Sequence, residues 1–158
     1  MMKKISLIIG LCAALVARAQ TPQPPVAATV YVASTPCSSG TKPVPGIPKN
    51  AGCELIKWQL RLFPMGTYVL DCSYGMPKQG TRGFIGGGNK LHREGKWTVG
   101  KGTKTDASAV VYQLDPDKPS ESIAFVRLGE TLLHLLDNDR RLMIGTGAWS
   151  YTLSKVQL

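Results

Sequence analysis

The sequence predicts an all-β fold, namely an antiparallel up-and-down barrel of eight strands with a lipocalin-like shape. Eight short segments, most of them alternating between apolar and polar residues, read as strands, and Gly 17 and Pro 11 supply the turns between them. No segment of helical length repeats its apolar residues with a period of 3.6. A closed barrel is favoured over an open sheet because closure removes exposed strand edges.

The chain begins with the features of a signal peptide. Two lysines precede the apolar run 5–16, and Ala17 and Ala19 occupy the −3 and −1 positions of a cleavage site after residue 19. The run is too short for the roughly 20 residues that a membrane-spanning helix needs. We therefore expect residues 1–19 to be removed on export, no transmembrane segment, and a soluble protein in the periplasm or the extracellular medium.

The rest of the chain is expected to form a proline-rich spacer, residues 20–27, and one domain, residues 28–158. Loss of the three positive charges in residues 1–19 lowers the formal net charge from +9 to +6. No cluster of Lys and Arg with interleaved aromatic residues accompanies this charge, so nucleic acid is not an expected partner. We expect a monomer.

The first strand is predicted over residues 28–35, which are rich in β-branched side chains and end at Pro36-Cys37. The following segment, 38–52, contains three prolines and three glycines. It is therefore predicted to be a long loop without regular structure.

A hairpin is predicted next, with strands over 56–62 and 68–74. In the first strand, apolar residues alternate with Lys57, Gln59 and Arg61, so one face is apolar and the other is largely cationic. In the second strand, Cys72 shares its face with three large hydrophobic residues. A buried free cysteine is the favoured interpretation there, with a disulfide or a ligand role as alternatives.

Residues 75–93 are predicted to be a mobile loop around the glycine run 86–88. This run lacks the Lys-Ser/Thr pair and the following helix of a phosphate-binding loop, so no nucleotide site is expected. A short turn is predicted near residues 137–143. The remaining strands are predicted over 94–99, 109–114, 122–128, 131–136 and 149–155.

The interior of the predicted barrel is rich in aromatic residues. An eight-stranded barrel is either filled by its own side chains or wide enough for one small ligand, and a filled interior is the favoured interpretation. The aromatic side chains predicted to point inward are Trp58, Tyr68, Tyr74, Trp97, Tyr112, Phe125, Trp149 and Tyr151.

The mature chain retains three cysteines, Cys37, Cys53 and Cys72, because Cys12 lies within the signal peptide. In an oxidising compartment, three cysteines predict one disulfide and one free thiol. The sequence alone leaves all three pairings open.

Three short motifs follow one another along the chain, namely Thr35-Pro36-Cys37, Cys53-Glu54-Leu55-Ile56 and Gly66-Thr67-Tyr68-Val69-Leu70. In this order they resemble the N-terminal domain of the copper resistance lipoprotein NlpE and its relatives. Further short segments follow the family order as far as Tyr151-Thr152-Leu153.

The resemblance implies a protein of the bacterial envelope that acts in envelope stress or copper homeostasis. It also implies that Cys37 pairs with Cys53, as a disulfide or as a metal-binding pair. In the family these cysteines form a tight Cys-x-x-Cys, whereas fifteen residues, 38–52, separate them here. A disulfide is therefore favoured over a metal site at Cys37 and Cys53. The chain also lacks the cysteine motif for lipid attachment, so the membrane anchoring of the family is not expected here.

No arrangement of catalytic residues is apparent in the sequence, which lacks a nucleophile elbow, a Cys-His pair in local context and paired carboxylates on one strand face. We therefore expect a non-enzymatic protein without a resident cofactor that acts on an unknown envelope partner. The alternative is a module that binds a small apolar ligand at the barrel mouth or Cu(I) at soft side chains. The candidate copper ligands are Cys37, Cys53, Met65, Met76 and His92. The second histidine, His134, is expected to be a hydrogen-bonded residue of a strand face.

Overall fold

A computed structural model describes residues 27–37 and 44–157. The predicted signal peptide, all but the last residue of the predicted spacer, and the first part of the loop 38–52 lie outside these residues. Within the described ranges, no helix is both long enough and apolar enough to cross a membrane.

The described residues form a closed antiparallel barrel of eight strands in which each strand pairs with the next and the last pairs with the first. This confirms the predicted architecture, while the lipocalin-like type stays a prediction. The strands are β1 Thr29–Pro36, β2 Leu55–Phe63, β3 Thr67–Gly75, β4 Asn89–Lys101, β5 Val110–Leu114, β6 Ile123–Leu128, β7 Leu132–Leu135 and β8 Thr152–Lys155.

The barrel interior is a single cluster of buried side chains to which seven strands contribute, and β4 adds the partly buried Leu91 and Trp97. Period-2 alternation places one face of each strand inside, as the sequence of β2 predicts. Trp58 and Phe125 meet edge to face in this cluster, with ring centroids 6.2 Å apart. The Trp58 indole N–H donates a 2.8 Å hydrogen bond to Thr35 Oγ1, so this buried donor is satisfied.

Strand β4 begins five residues earlier than predicted, because residues 89–93 are strand and not loop. Its first eight residues pair with β3 and its last five pair with β5. The inward positions of the first half are Leu91, Arg93 and Gly95, which do not form an apolar pattern. This segment is therefore a strand because it pairs with β3, and not because its own sequence favours a strand.

The last strand is shorter than predicted, and the inward position assigned to Trp149 was wrong. Trp149 precedes β8 and its side chain is 41% exposed. The Thr146 hydroxyl accepts hydrogen bonds from the backbone N–H groups of Ala148 and Trp149, and Thr146 N–H donates to Trp149 O at 2.8 Å. This local turn diverts the backbone before pairing with β7 begins at Thr152.

A second, smaller cluster of buried apolar residues lies outside the barrel interior and is formed by Val111, Val126 and Leu136. The segment between β7 and β8 turns at residues 137–141, where Asp137 Oδ1 accepts hydrogen bonds from the N–H groups of Asp139 and Arg141. Arg140 then reaches back to Gln113 of β5, with Nη2 2.9 Å from Oε1. These contacts hold the turn predicted near residues 137–143 against β5.

The up-and-down topology separates the connections into two groups. At one end, called the cap end, are the connections 37–54, 76–88, 115–122 and 136–151, three of which are longer than any connection at the other end. At the opposite end, called the open end, are the connections 64–66, 102–109 and 129–131, together with the start of β1 and the end of β8.

Cys72 is the free cysteine of the described residues and lies inside the barrel, 3% exposed. It shares the inward face of β3 with Tyr68, Leu70 and Tyr74, as predicted. Burial raises the pKa of its thiol from the ordinary 9.0 to about 12, and the negative charge of Asp71 adds to this increase.

We expect Cys72 to resist thiol reagents in the folded protein. A pKa of about 12 in place of 9.0 lowers the thiolate fraction near pH 8 by roughly a thousandfold. Ellman's reagent should therefore titrate no thiol in the native oxidised mature protein and one thiol after unfolding. A Ser120→Cys variant, whose new thiol is exposed, should react at once; equally rapid reaction of Cys72 in the native state would contradict its burial.

Candidate functional site

The cap end is closed by a disulfide between Cys37 and Cys53, with the two Cα atoms 5.3 Å apart. This is the pairing that the family resemblance implies. Both cysteines are buried, at 0% and 8% exposure. Cys37 N–H donates to Glu54 O at 2.9 Å, which extends the β1–β2 ladder to the bridge.

The described part of the enclosed loop, residues 44–52, is called the cap loop. It contains neither strand nor helix, as its prolines and glycines predict. Nevertheless Val44 and Ile47 are 1% and 7% exposed and belong to the same buried cluster as the strand side chains. Gly46 lies against Leu91, because a Cβ there would be 3.3 Å from the leucine Cδ1. The cap loop therefore covers the cap end of the barrel interior.

A buried ion pair lies beneath the cap loop. Arg93 points inward from β4, and its Nη2 is 2.8 Å from Asp115 Oδ2 and 2.9 Å from Glu121 O. Tyr68 donates its hydroxyl hydrogen to the same carboxylate oxygen. Arg93 Nη1 lies 3.5 Å from Pro45 O of the cap loop. One guanidinium thus connects β4, the β5–β6 connection and the cap loop.

Pairing makes the burial of these charges tolerable. The side chains of Arg93 and Asp115 are 11% and 6% exposed, and an unpaired charge at that depth would be strongly destabilising. Burial raises the pKa of Tyr68, and its hydrogen bond to Asp115 raises it further, so Tyr68 remains a hydrogen-bond donor at neutral pH.

Gly95 makes room for this group. A Cβ at position 95 would overlap Asp115 Oδ1 and lie 3.0 Å from Tyr68 Cε1. The backbone of Asp115 has φ 46, and its N–H donates to Lys96 O at 2.8 Å. The requirement for glycine at position 95 is therefore steric.

At the open end the barrel interior ends in a cavity of about 200 Å³, called the open mouth. Trp97 and Tyr112 pack against each other on one side of it, with ring centroids 5.2 Å apart and ring planes tilted by 48°, and Trp97 Nε1–H donates to Phe63 O at 2.9 Å. The residues that line the open mouth are Thr29, Tyr31, Leu62, Pro64, Trp97 and Tyr112. An apolar molecule could contact three aromatic rings here.

Of the candidate copper ligands, Cys37 and Cys53 are bonded to each other, and Met65, Met76 and His92 lie in three different parts of the barrel. Met65 is 81% exposed in the β2–β3 turn at the open end, whereas Met76 lies at the cap end. His92 is on the outer face of β4, where its Nδ1 is 2.7 Å from Asp71 Oδ1. Among the residues described, no group of three or more His, Cys, Asp or Glu side chains could hold a metal ion. The predicted site at Cys37 and Cys53 stays a prediction for the reduced protein, because the two sulfurs are bonded here.

The two histidines have different surroundings. The hydrogen bond from His92, followed by that from Arg61, lowers the pKa of Asp71, against the opposing effect of burial. His134 has both ring nitrogens engaged, with Nδ1 2.9 Å from Thr152 Oγ1 and Nε2 2.9 Å from Met143 O. This arrangement matches the hydrogen-bonded strand residue expected for His134.

Sequence reasoning missed the residues beneath the cap loop. Arg93 is the last residue of the predicted loop 75–93, and Asp115 lies just after the predicted strand 109–114, so no strand pattern marks either residue as inward. The available signal was the alternation of Leu91, Arg93, Gly95 and Trp97, which continues the inward face of β4.

Compared with known proteins, this chain matches no family model, no curated protein and no solved structure. The resemblance to the NlpE N-terminal domain therefore rests on the short motifs and stays a prediction.

Substitution of Gly95 by alanine tests the close packing around Asp115. The added methyl group must displace the carboxylate or the Tyr68 ring, and we expect a loss of about 1–3 kcal/mol in the free energy of unfolding. Chemical denaturation measures this loss. Gly100→Ala is the matched control on the same strand, because no atom lies within 4 Å of a Cβ there. Equal stability of the two variants would show that Asp115 is not confined as described.

Proposed function

We propose that the chain is an exported, non-catalytic protein of the bacterial envelope that acts in envelope stress or copper homeostasis through its disulfide-held cap loop. The observation that carries this proposal is the buried Cys37–Cys53 bridge at the base of a loop whose side chains enter the barrel core. The predicted signal peptide supports export. The disulfide also supports it, because structural disulfides form and persist in oxidising compartments.

The disulfide couples the redox state of the envelope to the shape of the cap end. A loop rich in proline and glycine has no secondary structure to hold it, so its position depends on the bridge, on a few apolar contacts and on the contact of Arg93 with Pro45 O. A dithiol that is itself oxidised to a disulfide would transfer two electrons and two protons to the bridge. The cap loop would then be held less tightly over Arg93, and two soft thiol ligands would become available to Cu(I).

We expect the Cys37→Ser/Cys53→Ser double variant to lose about 3 kcal/mol of unfolding free energy, since the bridge closes a loop with a sequence separation of 16 residues. Amide hydrogen exchange in residues 44–52 should accelerate in the same variant. Both measurements are made on mature protein purified from the periplasm.

Cys72→Ser is the control, because it removes a buried thiol and leaves the bridge intact. It should leave exchange in the cap loop unchanged. Native mass spectrometry of the reduced protein tests the proposed copper binding by the two thiols. We expect one Cu(I) on the wild type and none on the double variant. If the double variant kept both its stability and its cap-loop protection, the bridge would have no such role.

A second candidate function is the binding of a small apolar ligand, and the open mouth favours it. The cavity of about 200 Å³ is lined by three aromatic residues, two of which, Trp97 and Tyr112, are only partly buried. The cap loop covers the other end of the interior, so a ligand would enter from the open end.

We expect 1-octanol to bind the open mouth at one molecule per chain, with a saturable change in tryptophan fluorescence as its alkyl chain contacts Trp97. Thr29→Phe should abolish the response, because the larger side chain occupies the cavity from its wall. Thr98→Phe adds the same ring on the outer face of β4 and should leave binding intact. A titration that stays linear, or an equal loss in both variants, would count against a site at the open mouth.

A further inference from the structure

We propose that the open mouth selects amphiphilic anions, meaning small molecules with an apolar body and a carboxylate or similar anionic head. This inference rests on the ligand-binding role proposed above for the open mouth. It adds the chemical class of the ligand, and it follows from the charges that surround the aromatic cavity.

Three basic residues, Lys101, Arg127 and Lys155, form what we call the cationic collar. Strand register places each of them on the inward face near the open end. Lys155 is paired with Tyr31, and Arg127 is paired with Leu133, both of which are buried in the interior. Lys101 follows Trp97 and Val99 along the inward face of β4. All three side chains are exposed at the rim, as expected for long cations whose charged ends reach solvent.

The collar has no acidic partner within the part of the chain that the structure describes. Elsewhere, by contrast, Arg93 is bound to Asp115 and Arg61 to Asp71. Two acidic residues lie in connections at the open end, Asp106 and Glu130. Asp106 accepts hydrogen bonds from Ser108, and neither acid forms an ion pair with the collar.

Within the collar, Arg127 acts on a residue of the aromatic cavity. Burial raises the pKa of Tyr31 and Tyr112 adds to this, whereas the positive charge of Arg127 opposes the increase. Tyr31 lines the cavity and is 4% exposed, so a cation and an apolar wall meet at one side chain. A carboxylate at the rim could therefore lie near Arg127 and Lys155 while its apolar body contacts Tyr31.

The size of the cavity limits the apolar body. About 200 Å³ is less than the roughly 300–1,000 Å³ of sites for drug-sized ligands, so a short alkyl chain or one aromatic ring suits it. Since the cap loop covers the far end, the apolar body enters first and the head stays at the collar. The shape and charge together fit a small carboxylate with one apolar tail.

Three monomeric probes of equal chain length test the inference, namely octanoate, 1-octanol and octylammonium. We expect octanoate to bind about three- to tenfold more tightly than octanol at low ionic strength, as two weakly screened cations would provide, and octylammonium to bind least. The preference should shrink at about 1 M salt, where the screening length is about 3 Å. Fluorescence and calorimetric titrations of the mature protein measure the three affinities.

The Arg127→Gln/Lys155→Gln double variant should lose the preference for octanoate and keep its affinity for octanol. Lys49→Gln/Lys90→Gln removes the same charge from exposed positions away from the mouth and should keep the preference. Equal binding of octanoate and octanol by the wild type would overturn the anion inference and leave the apolar site standing. Absence of binding by all three probes, or binding only to phosphatidylglycerol vesicles, would overturn the ligand site together with its selectivity.

Discussion

The change of partner along β4 is the constraint on which the rest of the barrel depends. Residues 89–96 pair with β3, and residues 97–101 pair with β5. Strands β5–β8 are therefore displaced along the barrel axis relative to β1–β3, as closure of a tilted sheet requires. The first half of β4 is left without β5 beside it. Arg93 and the β5–β6 connection fill that position, and the cap loop lies above them.

The same displacement explains why the two ends differ. At the cap end, the longer connections and the disulfide-closed loop supply apolar side chains that complete the core. At the open end, Trp97 and Tyr112 are only partly buried. The inward positions of β4, β6 and β8 nearest this end carry cations, which deeper in the barrel would need a paired acid, as Arg93 has in Asp115. A fold built from repeated hairpins thus has one closed end and one accessible end.

Much of the fold was predictable because the interior and exterior of a barrel strand alternate with period 2. The strands β2 and β3 follow this rule with large apolar residues, and their bounds were nearly correct. The rule failed where an inward position holds a charge or a glycine. Arg93 and Gly95 are suitable inside only because Asp115, distant in the sequence, lies against both of them. The inward position predicted for Trp149 was wrong for a different reason, since a local turn outweighs the apolar pattern of its segment.

The candidate site was less predictable than the fold. The cysteines were visible in the sequence, but their pairing came from a family resemblance, because residues 38–52 say nothing about which sulfurs approach each other. The cationic collar was invisible, since Lys101, Arg127 and Lys155 come together only through the register of three separate strands. Single residues can be recognised along a chain, whereas a ring of residues from alternate strands requires the closed sheet.

The pairing of β1 with β8 also determines how the barrel would respond to mechanical force. These neighbouring strands are antiparallel, so the start of β1 and the end of β8 lie side by side at the open end. Force applied between residues 27 and 157 would open the ladder one hydrogen bond at a time, beginning with Val156 N–H to Val30 O at 2.8 Å. Strands loaded in this peeling geometry do not share the force among their bonds. A barrel pulled by its two termini would therefore open at the β1–β8 seam, while the disulfide-closed end stayed intact.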